Sequence, residues 1–154
     1  MIPVLITIDL ETAMDHVLSE QSEIVVRVFN DFSELGIVTT SFVTSEFAER
    51  FSVQIQNTIC STNEFGLHGR DHSVRENYCR MTREEIESNI HASNEIVSEI
   101  TQSEICCFRG PFMSTSSITQ QVLIDKNIRA DYSVCSQRFD FINSRGGNLS
   151  WLIS

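Results

Sequence analysis

The feature that most constrains this chain is the order of its apolar runs. Short β-rich segments alternate with longer amphipathic ones, and three of the short runs end in polar residues able to carry chemistry. Residues 4–8 form a compact β-rich run that gives way to Asp9 and Glu11, the profile of a buried strand delivering carboxylates at its C-terminal end. Residues 22–35 then set Val25, Val28, Phe29, Phe32 and Leu35 at helical spacing, with Gly36 placed as the glycine just past a helix end. Residues 37–43 return to β-rich composition, and Ser45 opens a short helix over residues 46–51.

A weakly patterned stretch through Cys60 follows, after which Phe65, Gly66, Leu67 and His68 read as a short strand entering a polar loop that runs to Tyr78. Thr82 and Glu85 form a capping box ahead of Ile86, Ile90, Val97 and Ile100, so a helix is expected to run from there and stop before Ser103. Residues 105–108 form a buried strand leading into Arg109, Gly110, Pro111 and Phe112. A helix over residues 117–126 and a short strand over 131–134 complete the pattern, and Trp151, Leu152 and Ile153 begin one more strand. Such alternation implies a mostly parallel α/β sheet or barrel. The 154 residues suit one domain, whereas a closed α/β barrel needs roughly 200 or more. The expectation is a single domain over residues 1–154, a partial or distorted (β/α) barrel whose last strands are missing at the C-terminus.

Charge narrows the partners. With 21 acidic and 11 basic side chains the net charge is −10, a field that repels nucleic acid and anionic membrane. No apolar run approaches the roughly 18 residues of a membrane span, and the N-terminus lacks a basic leader and cleavage site. Five cysteines, an odd number with no CxxC pair, speak against a disulfide framework or a zinc knuckle. A reducing, cytoplasmic setting is the expectation, with Cys106 and Cys107 serving as small hydrophobes.

His68 and His72 stand four residues apart, a spacing at which two imidazoles reach one ion if the backbone is helical or tightly turned. Asp9 or Glu11 would be the natural third ligand, because parallel strands bring their C-terminal ends to one face. Two imidazoles and one carboxylate leave open positions for water and substrate, as in catalytic zinc sites. The spacing alone also arises by chance, and Gly69 stands where a zinc-protease HExxH motif would have its Glu.

Taken in order, the acidic tip at Asp9 and Glu11, the pair His68 and His72, and the run Arg109, Gly110, Pro111, Phe112 resemble the first three motifs of the NodB-homology polysaccharide deacetylases. The likeness extends from Pro3 to about Val134, with Asp131, Tyr132, Ser133 and Val134 similar to the Asp-Ser-Ser strand of many members. The resemblance implies a divalent metal, zinc first with cobalt or nickel also suited, held by Glu11, His68 and His72. It implies Asp9 as general base, with the Asp9 and Glu11 roles exchangeable, and Arg109 as the arginine that orients the base. Pro111 and Phe112 would shape one wall of a substrate groove. The implied activity is removal of N-acetyl groups from a carbohydrate by metal-activated water, and the implied partner is an N-acetylated carbohydrate or related small amide. The acidic motif departs from the family's adjacent aspartates, since Leu10 separates Asp9 from Glu11.

One expected part is missing. Family members draw a general acid from a later histidine, and no histidine follows His91, so that acid is absent or comes from a region beyond Ser154. His16 reads as an exposed helix-start residue and His91 as exposed or structural. Two alternatives therefore stand beside the deacetylase reading: an impaired member that binds a sugar or a protein without turnover, and an amidohydrolase acting on a non-carbohydrate amide. Arg70, Arg75, Arg80 and Arg83 around the histidine loop either dock an anionic substrate group or pair with Asp71, Glu76, Glu84 and Glu85. An open sheet edge would also favour self-association.

Overall fold

Five parallel strands lie side by side in chain order, and this order decides the architecture. The computed structural model describes residues 4–12, 18–59 and 63–134, with side chains of the first helix described from residue 23. The strands are β1 (Ile6–Leu10), β2 (Thr39–Val43), β3 (Asn63–Leu67), β4 (Cys107–Phe108) and β5 (Ala130–Asp131). They pair β1-β2-β3-β4-β5. Every crossover steps in the same direction, as in a (β/α) barrel; a doubly wound sheet would reverse its order midway. The described sheet is open between β5 and β1, so the partial-barrel expectation holds.

Between the strands run α1 (Leu18–Glu34), α2 (Ser45–Arg50), α3 (Ser52–Asn57), α4 (Arg83–Thr101) and α5 (Ser117–Asp125). α1 closes as the spacing predicts: Gly36 takes φ +66°, and Ile37 N–H returns to Phe32 O at 2.9 Å while Gly36 N–H reaches Ser33 O at 3.0 Å. Leu35 is exposed rather than part of the buried stripe, which is anchored by Phe29. The Thr82–Glu85 capping box forms in both directions, and α4 ends at Thr101 as expected.

The register explains the core. Leu10, Val43, Leu67 and Phe108 are direct cross-strand partners, so one row of the sheet presents four buried apolar side chains to the helices. Phe47, Ile55, Ile86, Ile90, Val97 and Val122 pack into the same cluster. Burying each such aliphatic side chain contributes about 1.5–3 kcal/mol. Because strand side chains alternate, Thr7, Asp9, Thr40, Phe42, Glu64 and Gly66 fall on the opposite face.

Several sequence expectations shift. β1 begins two residues later than residue 4, leaving Val4 and Leu5 exposed, and Asp9 lies inside the strand rather than beyond its tip. The N-cap of α2 is Thr44, whose hydroxyl accepts Phe47 N–H at 3.3 Å, rather than Ser45. α3 was not anticipated, and β4 and β5 are two residues each because their ladders are short. Cys79, Cys106 and Cys107 are free thiols; burial pushes Cys107 up to about 12, which fits an inert packing role. His16, Cys60, Cys135 and the run at Trp151 lie outside the described residues. Among the described residues no helix is long and apolar enough to cross a membrane.

Candidate metal centre

Ladder hydrogen bonds continue one residue past the strand ends and line up the next row. His68 N–H bonds Val43 O at 2.9 Å, and Arg109 N–H bonds Leu67 O at 2.9 Å. His68 and Arg109 therefore leave the sheet side by side at its C-terminal rim, next to Asp9 in β1 and Glu11 just after it.

His68 is 2% exposed. Its Nδ1 lies 2.7 Å from the Arg109 carbonyl oxygen, which can only accept, so Nδ1 carries the proton and Nε2 presents a lone pair. Burial, the largest influence, holds the ring below its ordinary pKa and favours this neutral form. Nε2 faces Glu11 Oε2 at 3.8 Å and Asp9 Oδ2 at 3.9 Å. His72 Nε2 lies 2.9 Å from the same Glu11 Oε2, and the backbone N–H of Phe112 points at that nitrogen from 3.4 Å.

The ligand atoms of Glu11, His68 and His72 all lie within 4.8 Å of one another. Glu11 Oε2 is shut off from solvent yet has no hydrogen-bond partner. A carboxylate oxygen converging with imidazole lone pairs, one of them fixed by its ring's opposite proton, is a cation-ready donor set. A divalent ion would satisfy all three, and the observed atoms fit it.

Asp9 stands beside this set and outside it. Its Oδ1 is 2.6 Å from Arg109 Nη1, and Arg109 Nη2 donates to Thr7 Oγ1 at 3.0 Å. The guanidinium rests over the Phe42 ring, 4.3 Å from its centroid. Held on two sides and from below, Arg109 fixes the direction of one Asp9 oxygen and leaves the other facing His68.

The chain matches the family description Polysaccharide deacetylase over residues 3–130. It belongs to the polysaccharide deacetylase family. A curated relative, the peptidoglycan deacetylase of Helicobacter pylori, is 26% identical over 125 residues, which make up 81% of this chain and 41% of that protein. Among solved structures, a family 4 carbohydrate esterase from Bacillus anthracis superposes with a TM-score of 0.66 at 15% identity, over 83% of this chain and 57% of its own. A family 4 carbohydrate esterase from Streptomyces lividans in complex with acetate gives 0.63 at 13% identity, over 82% and 60%. A family 4 pseudoenzyme from Bacillus anthracis gives 0.65 at 16% identity, over 82% and 42%. These structural likenesses establish the fold, and this deacetylase-family chain spans less than two thirds of each of these relatives.

The run from Arg109 to Phe112 enters a tight turn. Gly110 must be glycine, because a Cβ there would collide with the Ser114 carbonyl oxygen. Gly110 N–H donates to Ser133 Oγ at 2.7 Å, while Asp131 accepts Ser133 N–H at 2.9 Å and the Thr115 hydroxyl at 2.8 Å. The segment after β5 thus braces the turn, a role the sequence pattern did not reveal. Pro111 is buried, and the Phe112 ring lies 4.3 Å from that of His72. His72, Phe112 and Met113 all adopt left-handed φ near +56°, a conformation that costs such residues on the order of 1 kcal/mol or more. This backbone strain is concentrated at the rim.

Arg83 and two of the loop carboxylates pair differently from the expected surface pairing. Arg83 binds Glu87 at 2.7 Å and Asp125 at 2.6 Å, Glu85 serves the Thr82 cap, and Glu76 turns inward to receive backbone N–H groups. Sequence reasoning treated Glu76 as a surface partner for arginine. The only signal against that was its position between a glycine-containing turn and Tyr78.

Proposed function

We propose that this chain is a metal-dependent hydrolase that removes N-acetyl groups from a carbohydrate. The observation that carries the reading is the convergence of Glu11 Oε2, His68 Nε2 and His72 Nε2 beside an Asp9 held by Arg109. Glu11, His68 and His72 would hold the ion; two nitrogens and one oxygen suit zinc, and cobalt or nickel accept the same donors. When bound, such an ion polarises an amide carbonyl and brings the pKa of water at the site toward about 7.

Asp9 is the base in this reading. Arg109 occupies its Oδ1, so Oδ2, 3.9 Å from His68 Nε2, is free to take a proton from water at the centre. Glu11 cannot serve equally, because its Oε2 is the atom at which both histidines converge. Phe112, half-buried against His72, offers an aromatic face to a sugar ring, and Pro111 beside it in sequence is buried.

A second reading keeps the metal and the sugar but not the turnover. Among the described residues the imidazoles are His68, His72 and His91, and His91 is exposed on α4, 3.7 Å from Glu95. Among the described residues none of them is free to protonate a leaving amine, and the second reading rests on that observation. Incubating the zinc-supplemented chain with N-acetylglucosamine oligomers and measuring acetate separates the two. Catalytic release supports the hydrolase; oligomer binding without acetate supports the binding module.

A further inference from the structure

We propose that Glu76 is a positioning residue for His72: its buried carboxylate gathers the backbone N–H groups of Arg70, Asp71 and His72 and fixes the turn that aims the His72 imidazole at Glu11. The inference rests on the reading of Glu11, His68 and His72 as one ligand set.

The turn has a demanding task. It must leave β3 at His68 and reverse within four residues so that a second imidazole returns to the same carboxylate oxygen. Gly69 at φ +77° and His72 at φ +55° accomplish the reversal and leave three successive N–H groups pointing to one side. All three end on Glu76. Oε1 receives Arg70 N–H, and Oε2 receives Asp71 N–H at 3.0 Å and His72 N–H at 2.9 Å. Charge-assisted bonds of this kind are about twice as strong as neutral ones, and three converging on one group define a turn that Gly69 alone would leave loose.

The carboxylate is itself held from behind. Asn89 Nδ2 on α4 donates to Glu76 Oε1 at 2.8 Å, and the Tyr78 hydroxyl donates to Asn89 Oδ1 at 2.6 Å. Tyr78 is fully buried, and its burial and the nearby Glu76 charge keep it protonated as a donor. α4 is a rigid platform, capped at Thr82 and buried through Ile86 and Ile90. From the far side, a Cβ at Gly69 would meet Glu76 Cδ at 2.8 Å and Pro111 Cγ at 2.9 Å, so Glu76 fills the space directly beneath the turn. Glu76 is 4% exposed and its partners are backbone amides, an amide side chain and a phenol rather than a cation. A carboxylate buried this way is costly unless every such bond is made, so the turn and the carboxylate specify each other.

The decisive variant is Glu76→Gln, which keeps the size but sets an N–H₂ group against backbone N–H donors. The zinc affinity of the purified chain is measured by competition with a chromophoric chelator, alongside circular dichroism of the metal-free protein. The expected result is zinc binding weaker by roughly 10- to 100-fold with helix and strand content retained. A folded variant binding zinc within about twofold of wild type would overturn the proposal. Independently of folding, nuclear magnetic resonance of the metal-free wild type should show couplings across hydrogen bonds from the Glu76 carboxyl carbon to the amide nitrogens of Arg70, Asp71 and His72. Their absence would overturn the proposal even if the variant fails to fold. Couplings present in a wild type that binds no zinc would support the turn and bring down the ligand reading beneath it.

Discussion

The two faces of the β1–β4 sheet differ by a single residue of alternation and do opposite work. On one face Leu10, Val43, Leu67 and Phe108 form a continuous buried row against the helices. On the other, Thr7, Asp9 and Arg109 form a bonded chain, with Phe42 buried beneath the guanidinium. Stability resides in the first row and the candidate site in the second, and His68 follows Leu67 directly at the end of β3. A slip of one residue in β3 would exchange the core residue Leu67 for the candidate ligand His68. The register that protects the core is therefore also what assembles the site.

The two faces should separate most sharply in Asp9→Asn. Loss of a general base is expected to reduce acetate release by about 10²- to 10⁴-fold, while the half-exposed pair with Arg109 contributes no more than about 1 kcal/mol to stability. Steady-state assays and urea unfolding on the same samples check both halves. Leu67→Ala should do the reverse, costing about 2–5 kcal/mol of stability while the folded fraction keeps its zinc affinity. An unchanged unfolding midpoint would remove Leu67 from the core row.

Gly66→Ala sharpens the boundary between the faces. Its Cβ would meet Cys107 Sγ at 2.6 Å and the Phe42 ring at 2.8 Å, so overpacking of about 1–3 kcal/mol is expected. Adding Cys107→Ala should recover part of that loss in thermal unfolding, since it removes the nearer atom.

The smallest expected effect is on pH. Burial lowers the pKa of His68 in the folded chain below its ordinary 6.5, so the unfolded chain takes up that proton first as pH falls. Metal-free stability from this group is full above about 6.5 and declines as pH drops through that value, by at most about 1.4 kcal/mol per pH unit. Unfolding in chelator at pH 7.5 and 5.5 should show a weaker acid dependence in His68→Ala than in wild type. An equal dependence in both would contradict the assignment.

Local signals with short reach were legible in the sequence. The Thr82–Glu85 box and the Gly36 stop each report on neighbours a few residues away, and each matches the structure, whereas Asp9 falls inside β1 rather than after it. α3 was not legible because its six residues bury only Ile55 and show no stripe. β4 and β5 shrink because pairing depends on partner strands, which composition does not disclose. The site divides in the same way. The proximity of Glu11, His68 and His72 follows from parallel strand ends, but Glu76 acts on backbone N–H groups that leave no side-chain signature. The brace from Ser133 to Gly110 spans 23 residues and depends on the β4–β5 register.

The proposed function depends on Glu11, His68 and His72 together binding one divalent ion. Its most direct test is metal content by mass spectrometry after dialysis of wild type and His68→Ala against trace zinc under identical conditions. Wild type should hold about one zinc tightly per chain, and the variant should lose it. A wild-type chain that retains no zinc, or a variant that retains as much as wild type, would contradict that ligand set.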